Sequence, residues 1–298
     1  MVVPHYGDPA PTTALVERLR AQRGVTLQII VADDHSVDPF PRLPGIEVVR
    51  REANGGFGSN VNSGVAAAAH DLLLVLNSDV EIDDTFVADL VKAARPWLPA
   101  VVSPRVVSRQ GNNEWIGRHF PKVRHQVVES LHPLVRLRPR LHDAVGHDTA
   151  ARGQTNVVDW VVGAAMLIPT ATFRSVGGFD QRFFMNSEEV DLQRRLRETG
   201  VPSVVVSEPT LVHEGGGSSP SLSRRRWLVQ SRLAYARKWS GVSGERRLRT
   251  ALVLATCANF LWNAARALAG RDSRPVSSLR EELAAIRPGA RGSGSRAG

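Results

Sequence analysis

Apolar segments alternate with helix-like segments over the first 100 residues of the chain. The pattern predicts strands at Val2-Val3, Leu27–Ala32, Ile46–Arg50 and Asp71–Leu76, and helices at Thr12–Arg23 and Asn60–Ala69. Strands and helices that alternate in this way are typical of a mainly parallel sheet with helices on both faces. The first third of the sequence therefore predicts an α/β fold.

The pattern weakens between Pro104 and Gln154, where Arg, His, Pro and Gly dominate. We interpret this stretch as a long excursion from the sheet and not as a separate domain. Strand-like hydrophobicity returns at Val157–Ile168, and a helix is predicted at Val190–Glu198. A strand at Val204–Val206 is then predicted to end in a turn at Glu208-Pro209.

The C-terminal part of the chain has a different pattern. The run GGGSSPSLS at 215–223 predicts a flexible connector, helices are predicted at Arg224–Ser240 and Arg246–Leu268, and Gly289–Gly298 is predicted to be disordered. We therefore divide the chain into a catalytic domain at 1–219, a basic amphipathic helical extension at 220–288 and a tail at 289–298.

The positive charge of the protein lies in this C-terminal part. The net charge of the whole chain is +9. Residues 221–298 contain 16 basic and 4 acidic residues, whereas residues 1–220 contain 22 basic and 25 acidic residues. Such a basic segment indicates an anionic partner: a membrane surface, a nucleic acid or a phosphorylated substrate. Cys257 is the only cysteine, and the N-terminus lacks the pattern of a signal peptide, so we expect a cytoplasmic protein.

Two polar clusters follow predicted strands, at Asp33-Asp34 and at Asn77–Asp79. Open α/β sheets bind their ligands at the carboxyl ends of strands, although Asp and Asn are also common in turns and helix caps. Carboxylate and imidazole groups can bind a divalent cation, and such a cation can neutralise the charge of a diphosphate leaving group in a transfer reaction. Asp79 and His213 have the side chains for such a cation site.

A second acidic cluster, FMNSEEVDLQRRL, lies near a predicted helix start. Its charges are explained either by the favourable helix dipole or by catalysis. Apolar residues precede Glu188 and Glu189, so a carboxylate here is a candidate general base. Asp191 and Arg195 are four residues apart and are predicted to form an ion pair on one helix face.

Several segments of the chain match motifs of one known family. They are VVPHYGDP, ADDHSVD, NGGFGSNVNSG, LNSD, DWVVGAAMLI followed by GGFDQRFFMNSEEVDLQRRL, and LVHEGGGSS. Together they resemble the family-2 glycosyltransferases, especially the bacterial rhamnosyltransferase-like branch that extends lipid-linked sugars. The resemblance covers Val2 to Ser219. It implies a GT-A-type, Rossmann-like sheet flanked by helices, with the helical extension following it.

The resemblance also implies a role for each matched residue. Asp79 and His213 are implied as ligands of Mg²⁺ or Mn²⁺, and Glu189 as the catalytic base with Glu188 in support. The implied donor-binding residues are Pro4, His5, Tyr6, Asp33, Asn54, Gly56, Phe57, Asn62, Asn77 and Asp79, with Asp33 at the position that reads the nucleotide base. The implied acceptor-side residues are Trp160, Gly163, Asp191 and Arg195.

Three positions depart from the family pattern. Glu189 stands where the family has Asp, His5 replaces the commoner Thr or Ser, and Asp34 replaces the usual Asn. The first departure lengthens the reach of the base by one methylene group. The other two lie in the segments that the resemblance assigns to the nucleotide.

The resemblance implies an inverting hexosyltransferase that moves a sugar, dTDP-L-rhamnose being the favoured donor, to a hydroxyl of a polyprenyl-diphosphate-linked saccharide in cell-wall or polysaccharide assembly. A UDP-galactofuranose or UDP-glucose donor stays an alternative. A dinucleotide-dependent oxidoreductase fits less well, because Asn54–Gly58 lacks the order G-x-G-x-x-G. A non-catalytic basic membrane adaptor would leave the two acidic clusters unexplained.

The segment 250–270 is the candidate for membrane insertion in the extension. Asn259, Asn263 and Arg266 interrupt it, so we expect no transmembrane helix. We expect a helix lying on anionic lipid at the inner face of the cell membrane, flanked by Arg246, Arg247 and Arg249. Packing against the catalytic domain or in a homodimer stays an alternative. We expect no nucleic-acid partner, because no recognised nucleic-acid module accompanies the basic residues.

Overall fold

The computed structural model of the protein describes residues 1–112, 115–134, 140–213 and 221–287. The chain divides into two compact units. The first comprises Met1–Phe120, Asp148–Phe184 and Glu188–Ser218, and the second comprises Pro121–His147, Met185–Ser187 and Ser219–Gly298. The predicted tail at 289–298, and most of the predicted connector at 215–223, lie outside the described residues.

The strands all belong to the first unit. They are β1 (Val2–His5), β2 (Ile30–Asp33), β3 (Glu47–Arg50), β4 (Leu72–Leu76), β5 (Val80–Glu81), β6 (Val101–Val107), β7 (Gly117–Arg118), β8 (Asn156–Val158), β9 (Trp160–Val161), β10 (Ala165–Pro169) and β11 (Ser203–His213). The helices are α1 (Pro9–Arg20), α2 (Phe57–Ala66), α3 (Phe86–Ala94), α4 (Val123–Ser130), α5 (Thr170–Ser175), α6 (Glu188–Glu198), α7 (Ser221–Leu268) and α8 (Pro275–Ile286). Of these, α4, α7 and α8 belong to the second unit.

The main sheet has the strand order β3-β2-β1-β4-β10-β6-β11-β5, with β8 paired to β11. The strands from β3 to β4 are parallel, as are β6 and β11, whereas β10, β5 and β8 pair antiparallel to their neighbours. β7 and β9 form a separate antiparallel pair. The predicted α/β class is confirmed, and the antiparallel strands make the sheet a mixed one.

The central strands are apolar throughout because helices cover both faces of the parallel part of the sheet. Val2 and Val3 of β1 and Leu73, Val75 and Leu76 of β4 are at most 1% exposed. This burial holds the carboxyl ends of the strands in place, where the polar residues of the site begin.

Several predicted boundaries were wrong. α1 begins at Pro9, because Asp8 caps it by accepting a hydrogen bond from the Ala10 amide at 2.9 Å. The apolar run Val157–Ile168 is three short strands and not one. The predicted turn at Glu208-Pro209 lies within β11, where the pairing with β6 shifts register between Val205 and Thr210.

The two predicted C-terminal helices form one element, α7, whose only described non-helical residue is Gly241 with φ 67°. Glycine accepts this left-handed backbone, so the helix axis breaks there without a loop. α8, which the sequence analysis did not predict, packs on α7. Leu233, Leu248, Leu252 and Ile286 form the small core of this unit.

The predicted excursion at 104–154 needs a correction. Its middle part, Pro121–His147, belongs to the second compact unit. Within that unit the Asn259 amide donates to the Ser130 carbonyl at 3.0 Å and accepts from the His132 amide at 2.7 Å. Arg232 also forms an ion pair with Glu129. Hydropathy could not reveal this association, because polar groups carry it.

Candidate active site

Polar residues gather at the carboxyl ends of β1, β2, β3 and β4, which share one edge of the sheet. The register pairs His5 with Asp33 and Asp33 with Arg50 across the three parallel strands. Asn77 follows β4 directly. The sheet therefore brings the predicted nucleotide segments and the predicted metal segment to the same edge.

Asp33 is fully buried at this edge. Its carboxylate accepts hydrogen bonds from the amides of Ser36 at 2.9 Å and Phe40 at 3.2 Å, and it pairs with the Arg50 guanidinium. Burial raises the pKa of Asp33, but these hydrogen bonds outweigh burial and the pKa is lowered overall. Asp33 thus holds the 33–40 loop, and both of its oxygens are already engaged by the chain.

Asp34 has a role that the sequence analysis missed. Its two carboxylate oxygens accept from the amides of Gly55 at 2.9 Å and Gly56 at 2.7 Å, and Arg51 pairs with it at 3.0 Å. Burial raises the pKa of Asp34, although these contacts oppose the shift. The residue joins the loop after β2 to the glycine loop before α2. The signal was present in the sequence, since an acidic side chain is a natural acceptor for the free amides of a Gly-Gly turn.

Gly56 occupies a position that no other residue fits. Its φ is +81°, and a Cβ added there would lie 1.8 Å from the Phe184 carbonyl oxygen. The same carbonyl accepts a hydrogen bond from the Phe57 amide at 3.1 Å. The glycine loop is therefore in backbone contact with Phe184, four residues before Glu188.

We expect Gly56→Ala to destabilise the protein by more than the ~1–2 kcal/mol that a left-handed backbone alone costs a non-glycine residue. The added methyl group meets backbone that is held by its own hydrogen bond, so relief requires the loop to move. Urea unfolding would measure the loss of free energy. Gly45→Ala is the matched control, because Gly45 has φ +71° and open space around the added Cβ. Equal losses for the two variants would contradict the close approach.

Asp79 and His213 meet where β5 pairs with β11. β5 pairs antiparallel with β11 so that His213 lies opposite Val80, the neighbour of Asp79. The His213 Nε2 atom is 3.2 Å from Asp79 Oδ1, and the two side chains are 18% and 35% exposed. Burial raises the pKa of Asp79, but the hydrogen bond and charge of His213 outweigh burial and lower it. An ionised carboxylate and an imidazole therefore converge at a solvent-accessible point.

Glu188 and Glu189 begin α6, where the helix dipole favours negative charge. The preceding residues, Asn186 and Ser187, have φ of 69° and 71°, so the chain turns sharply into the helix. Glu188 is 3% exposed, and a Cβ added at Gly58 would lie 3.3 Å from its Cβ. Glu188 is thus packed under the first turn of α2.

Glu189 is the more accessible member of the pair, and it is half-buried. A Cβ added at Gly163 would lie 3.8 Å from Cβ and Cγ of Glu189, so the glycine leaves room beside this carboxylate. The side chain of Gln193, one turn later, accepts a hydrogen bond from the Val161 backbone N–H at 2.7 Å and donates one to the Val161 carbonyl at 2.8 Å. It also donates to the Glu189 backbone carbonyl at 3.0 Å. The start of α6 is therefore fastened to β9.

Asn77 connects the region around Asp79 with the region around Glu189. The backbone N–H of Asn77 donates to the Ala164 carbonyl at 3.0 Å. Asn77 lies two residues before Asp79, and Ala164 directly follows Gly163. The Asn77 Oδ1 atom is buried and has no hydrogen-bond partner within the described part of the chain. Neighbouring backbone contacts thus connect the Glu189 region to the Asp79 region, and a buried acceptor lies between them.

Some residues predicted to touch substrate also make contacts within the fold. The His5 ring is 2% exposed, lies 2.9 Å from the Thr12 hydroxyl and packs edge-on against Phe40, and burial lowers its pKa. Asn62 exchanges two hydrogen bonds with the backbone of Phe179, at 2.8 and 2.9 Å. Pro4 is half-buried, whereas Tyr6 is 46% exposed beside this loop and Asn54 is exposed.

The predicted acceptor-side pair Asp191 and Arg195 also differs from expectation. Their ion pair at 2.8 Å is confirmed, but Asp191 is fully buried. The Arg195 guanidinium also donates to the carbonyls of Val176 and Gly178. The pair fastens α6 to the 176–178 turn. Trp160 donates its indole hydrogen to the His119 carbonyl at 3.0 Å.

Two protein ligands are available for a cation. In residues 1–112, 115–134, 140–213 and 221–287, no group of three or more His, Cys, Asp and Glu side chains forms a metal site. The carboxylate of Asp79 and the imidazole of His213 are nevertheless suitable donors for Mg²⁺ or Mn²⁺, which often complete their coordination with substrate phosphate oxygens. The donor set fits a cation that arrives with a diphosphate.

Residues 1–152, half of the chain, match the family model described as Glycosyl transferase family 2. The chain belongs to this family. The N-acetylglucosaminyl-diphospho-decaprenol L-rhamnosyltransferase of Mycobacterium tuberculosis is 27% identical over 222 residues, which cover 65% of this chain and 68% of the relative. The rhamnosyltransferase WbbL of Escherichia coli is 28% identical and covers 61% of this chain and 71% of its own length.

A solved structure supports the fold of this family-2 member. The mannosyltransferase PcManGT from Pyrobaculum calidifontis, in complex with GDP-Man and Mn²⁺, aligns with a TM-score of 0.59 at 15% identity. The alignment covers 96% of this chain and 79% of that protein. The protein is therefore a glycosyltransferase with the GT-A architecture that the sequence motifs predicted, and its relatives include rhamnosyltransferases.

Proposed function

We propose that this glycosyltransferase moves L-rhamnose from dTDP-L-rhamnose to a hydroxyl of a polyprenyl-diphosphate-linked saccharide, in cell-wall or polysaccharide assembly. The observation that carries the proposal is the meeting of Asp79 and His213 at 3.2 Å, on the same sheet edge as the loops after β2 and before α2. The names of the mycobacterial and E. coli relatives support rhamnose as the sugar. The mycobacterial name also supports a lipid diphosphate acceptor.

The donor is held by two loops that Asp34 joins. Tyr6 and Asn54 offer exposed side chains for the nucleotide, while Gly56 and Phe57 shape the turn that approaches it. Asp33 contributes by fixing the loop and not by a direct contact with the base, because its oxygens are already engaged. Asn77 adds a buried amide oxygen near the diphosphate end of the donor.

Asp79 and His213 would hold Mg²⁺ or Mn²⁺ against the diphosphate. When bound, the cation supplies Lewis-acid neutralisation of the negative charge that builds on the leaving nucleoside diphosphate. The protein contributes the orientation of the two ligands, which the pairing of β5 with β11 fixes.

Glu189 accepts the proton of the acceptor hydroxyl as its oxygen attacks the anomeric carbon from the face opposite the leaving group. The bond to the diphosphate oxygen breaks in the same displacement, so the configuration at the anomeric carbon inverts. Gly163 leaves space beside Glu189 for the acceptor, and Gln193 keeps the start of α6 in place.

In this proposal the 1–219 segment is the catalytic domain and the 220–288 segment is an extension that serves the lipid side of the reaction. We place the protein in the cytoplasm, peripherally at the inner face of the cell membrane, where a basic extension can meet anionic lipid. The basic residues of 221–298 suit anionic lipid headgroups.

We expect dTDP to bind more tightly when Mn²⁺ is present, and dTDP-L-rhamnose to be hydrolysed slowly in the absence of acceptor. Calorimetry of dTDP and of UDP, each with and without Mn²⁺, measures the first effect. A hydrolysis screen of dTDP-L-rhamnose, UDP-galactofuranose and UDP-glucose measures the second. Turnover of a UDP-sugar alone would replace rhamnose as the donor, and failure to bind either nucleotide would favour the non-catalytic adaptor.

A further inference from the structure

The C-terminal part of α7, from Thr256 to Leu268, buries polar residues and exposes apolar ones, the reverse of an ordinary surface helix. Its polar residues Thr256, Asn259 and Asn263 are 3%, 1% and 9% exposed. A helix at the surface of a soluble protein normally buries its apolar face and exposes its polar one. After Ala255 the buried residues of the helix are polar, whereas Leu248 and Leu252, nearer Gly241, are buried as in an ordinary helix.

The opposite face carries what we term the apolar stripe: Leu254, Ala258, Leu261, Trp262, Ala265 and Leu268. The four large residues are 64%, 67%, 42% and 91% exposed in the order Leu254, Leu261, Trp262 and Leu268. Their spacing repeats every three or four residues, so they line one side of the helix over about 21 Å. A contiguous exposed patch of this kind marks an interaction surface.

Hydrogen bonds hold the polar face against its own unit. Asn259 donates to the buried Glu282 carboxylate at 3.1 Å, in addition to its bonds with residues 130 and 132. Asn263 lies 3.2 Å from the His132 ring. Glu282 in turn pairs with His132 and Arg225, both at 3.2 Å. The stripe therefore cannot turn inward without breaking a buried polar network.

Length and composition alone would allow α7 to cross a membrane, since Ser223–Leu268 contains an 18-residue window of mean hydropathy 1.2, 28% of which is buried. Its neighbours argue against this orientation. α8 packs on α7 and exposes Arg280 and Glu281, and α4 exposes Arg124. Charges on neighbouring helices are costly in the hydrocarbon core. Among the described residues of this unit, the stripe is the surface that groups several large exposed apolar side chains.

Exposed arginines flank the stripe at both ends. Arg246 and Arg247 precede it, and Arg247 lies seven residues before Leu254, on the same face. Arg271 and Arg274 follow it, with the exposed Asp272 between them, so this end also keeps a net positive charge. Arg249, which the sequence analysis also assigned to lipid, is half-buried and paired with Glu245 at 2.7 Å. Arginines lie at both ends of the stripe, so a second copy docked on it, parallel or antiparallel, would place arginines beside arginines and be repelled. An anionic bilayer would instead attract them.

We propose that the apolar stripe lies at the boundary between headgroups and acyl chains of an anionic bilayer, with its long axis in the membrane plane. Trp262 suits this depth, because its indole combines an apolar body with a polar edge. The inference rests on the proposed function only for the presence of a lipid-linked acceptor. The inverted helix face and the flanking arginines are independent of it.

We expect the intact protein to float with vesicles of phosphatidylcholine mixed with phosphatidylglycerol at low salt, and Leu261→Glu to weaken partitioning at least about tenfold. Arg247→Gln should weaken it about fivefold, with the difference disappearing on pure phosphatidylcholine. Val157→Glu is the matched control, because Val157 is 41% exposed in the first unit. It should float like the unaltered protein.

Thermal unfolding and dTDP binding without vesicles show that the Leu261→Glu variant is folded. Unchanged flotation of that variant would overturn the proposal. So would a protein that ignores anionic vesicles, or one in which Leu261→Glu converts a dimer to a monomer by light scattering. Loss of dTDP binding by the unaltered protein would refute the proposed function instead, and it would leave the flotation result standing.

Discussion

Replacing Glu189 by Gln is expected to lower kcat by about 10²–10⁴, the usual contribution of a general base, while dTDP binds with unchanged affinity. Gln keeps the size and hydrogen-bonding capacity of the side chain but cannot accept the acceptor proton at neutral pH. The carboxylate of Glu189 is half-buried beside Gly163, whereas Asp34 joins the two donor loops, so the donor site should stay intact. Steady-state kinetics with saturating donor, together with calorimetry of dTDP, would separate the two effects.

Two matched variants sharpen this test. Glu189→Asp restores the residue that the family motif has at this position, so it should retain far more activity than the Gln variant. Glu188→Gln changes the neighbouring carboxylate, which is 3% exposed and packed near Gly58, and should mainly affect stability. Near-normal turnover by Glu189→Gln, or a larger kinetic loss in Glu188→Gln, would move the base assignment away from Glu189.

The sequence predicted the parallel half of the sheet because each of those strands is a short apolar run that ends in polar residues. It could not predict that β10 inserts antiparallel between β4 and β6, since the apolar run at 157–168 has no feature that shows its direction. Nor could hydropathy assign 121–147 to the second unit, where an asparagine and an ion pair make the contacts.

The motifs pointed to candidate site residues but did not separate possible substrate contacts from support of the fold. Asp191 and Asn62 stand in matched motifs, and both fasten one part of the scaffold to another. Asp34 looked like a departure from the pattern and turned out to hold the glycine loop. A motif records that a residue type is needed, whereas burial and hydrogen-bond partners show what it is needed for. The inverted face of α7 was hidden for the same reason, because the sequence does not show which side of a helix is covered.

Asp79→Asn is expected to abolish the effect of Mn²⁺ on dTDP binding and to lower kcat by about 10³-fold or more. Lewis-acid stabilisation of a leaving diphosphate is worth several kcal/mol, and each 1.36 kcal/mol is about a factor of ten in rate. The amide keeps the size of the carboxylate but loses the charge that attracts the cation. His213 would remain as a lone imidazole ligand, and hard cations such as Mg²⁺ and Mn²⁺ prefer oxygen ligands.

The control for this variant lies two residues away. Glu81→Gln removes a carboxylate that is 42% exposed and paired with Arg109 at 2.7 Å, on the same short strand that orients Asp79. It changes the net charge by the same amount without touching His213, so any general loss of electrostatic attraction for Mn²⁺ would appear in both variants. Calorimetric titration of dTDP with and without Mn²⁺ should show the unaltered response for Glu81→Gln. If Asp79→Asn also kept that response, the cation would be held elsewhere, and the convergence of Asp79 with His213 would be a structural hydrogen bond.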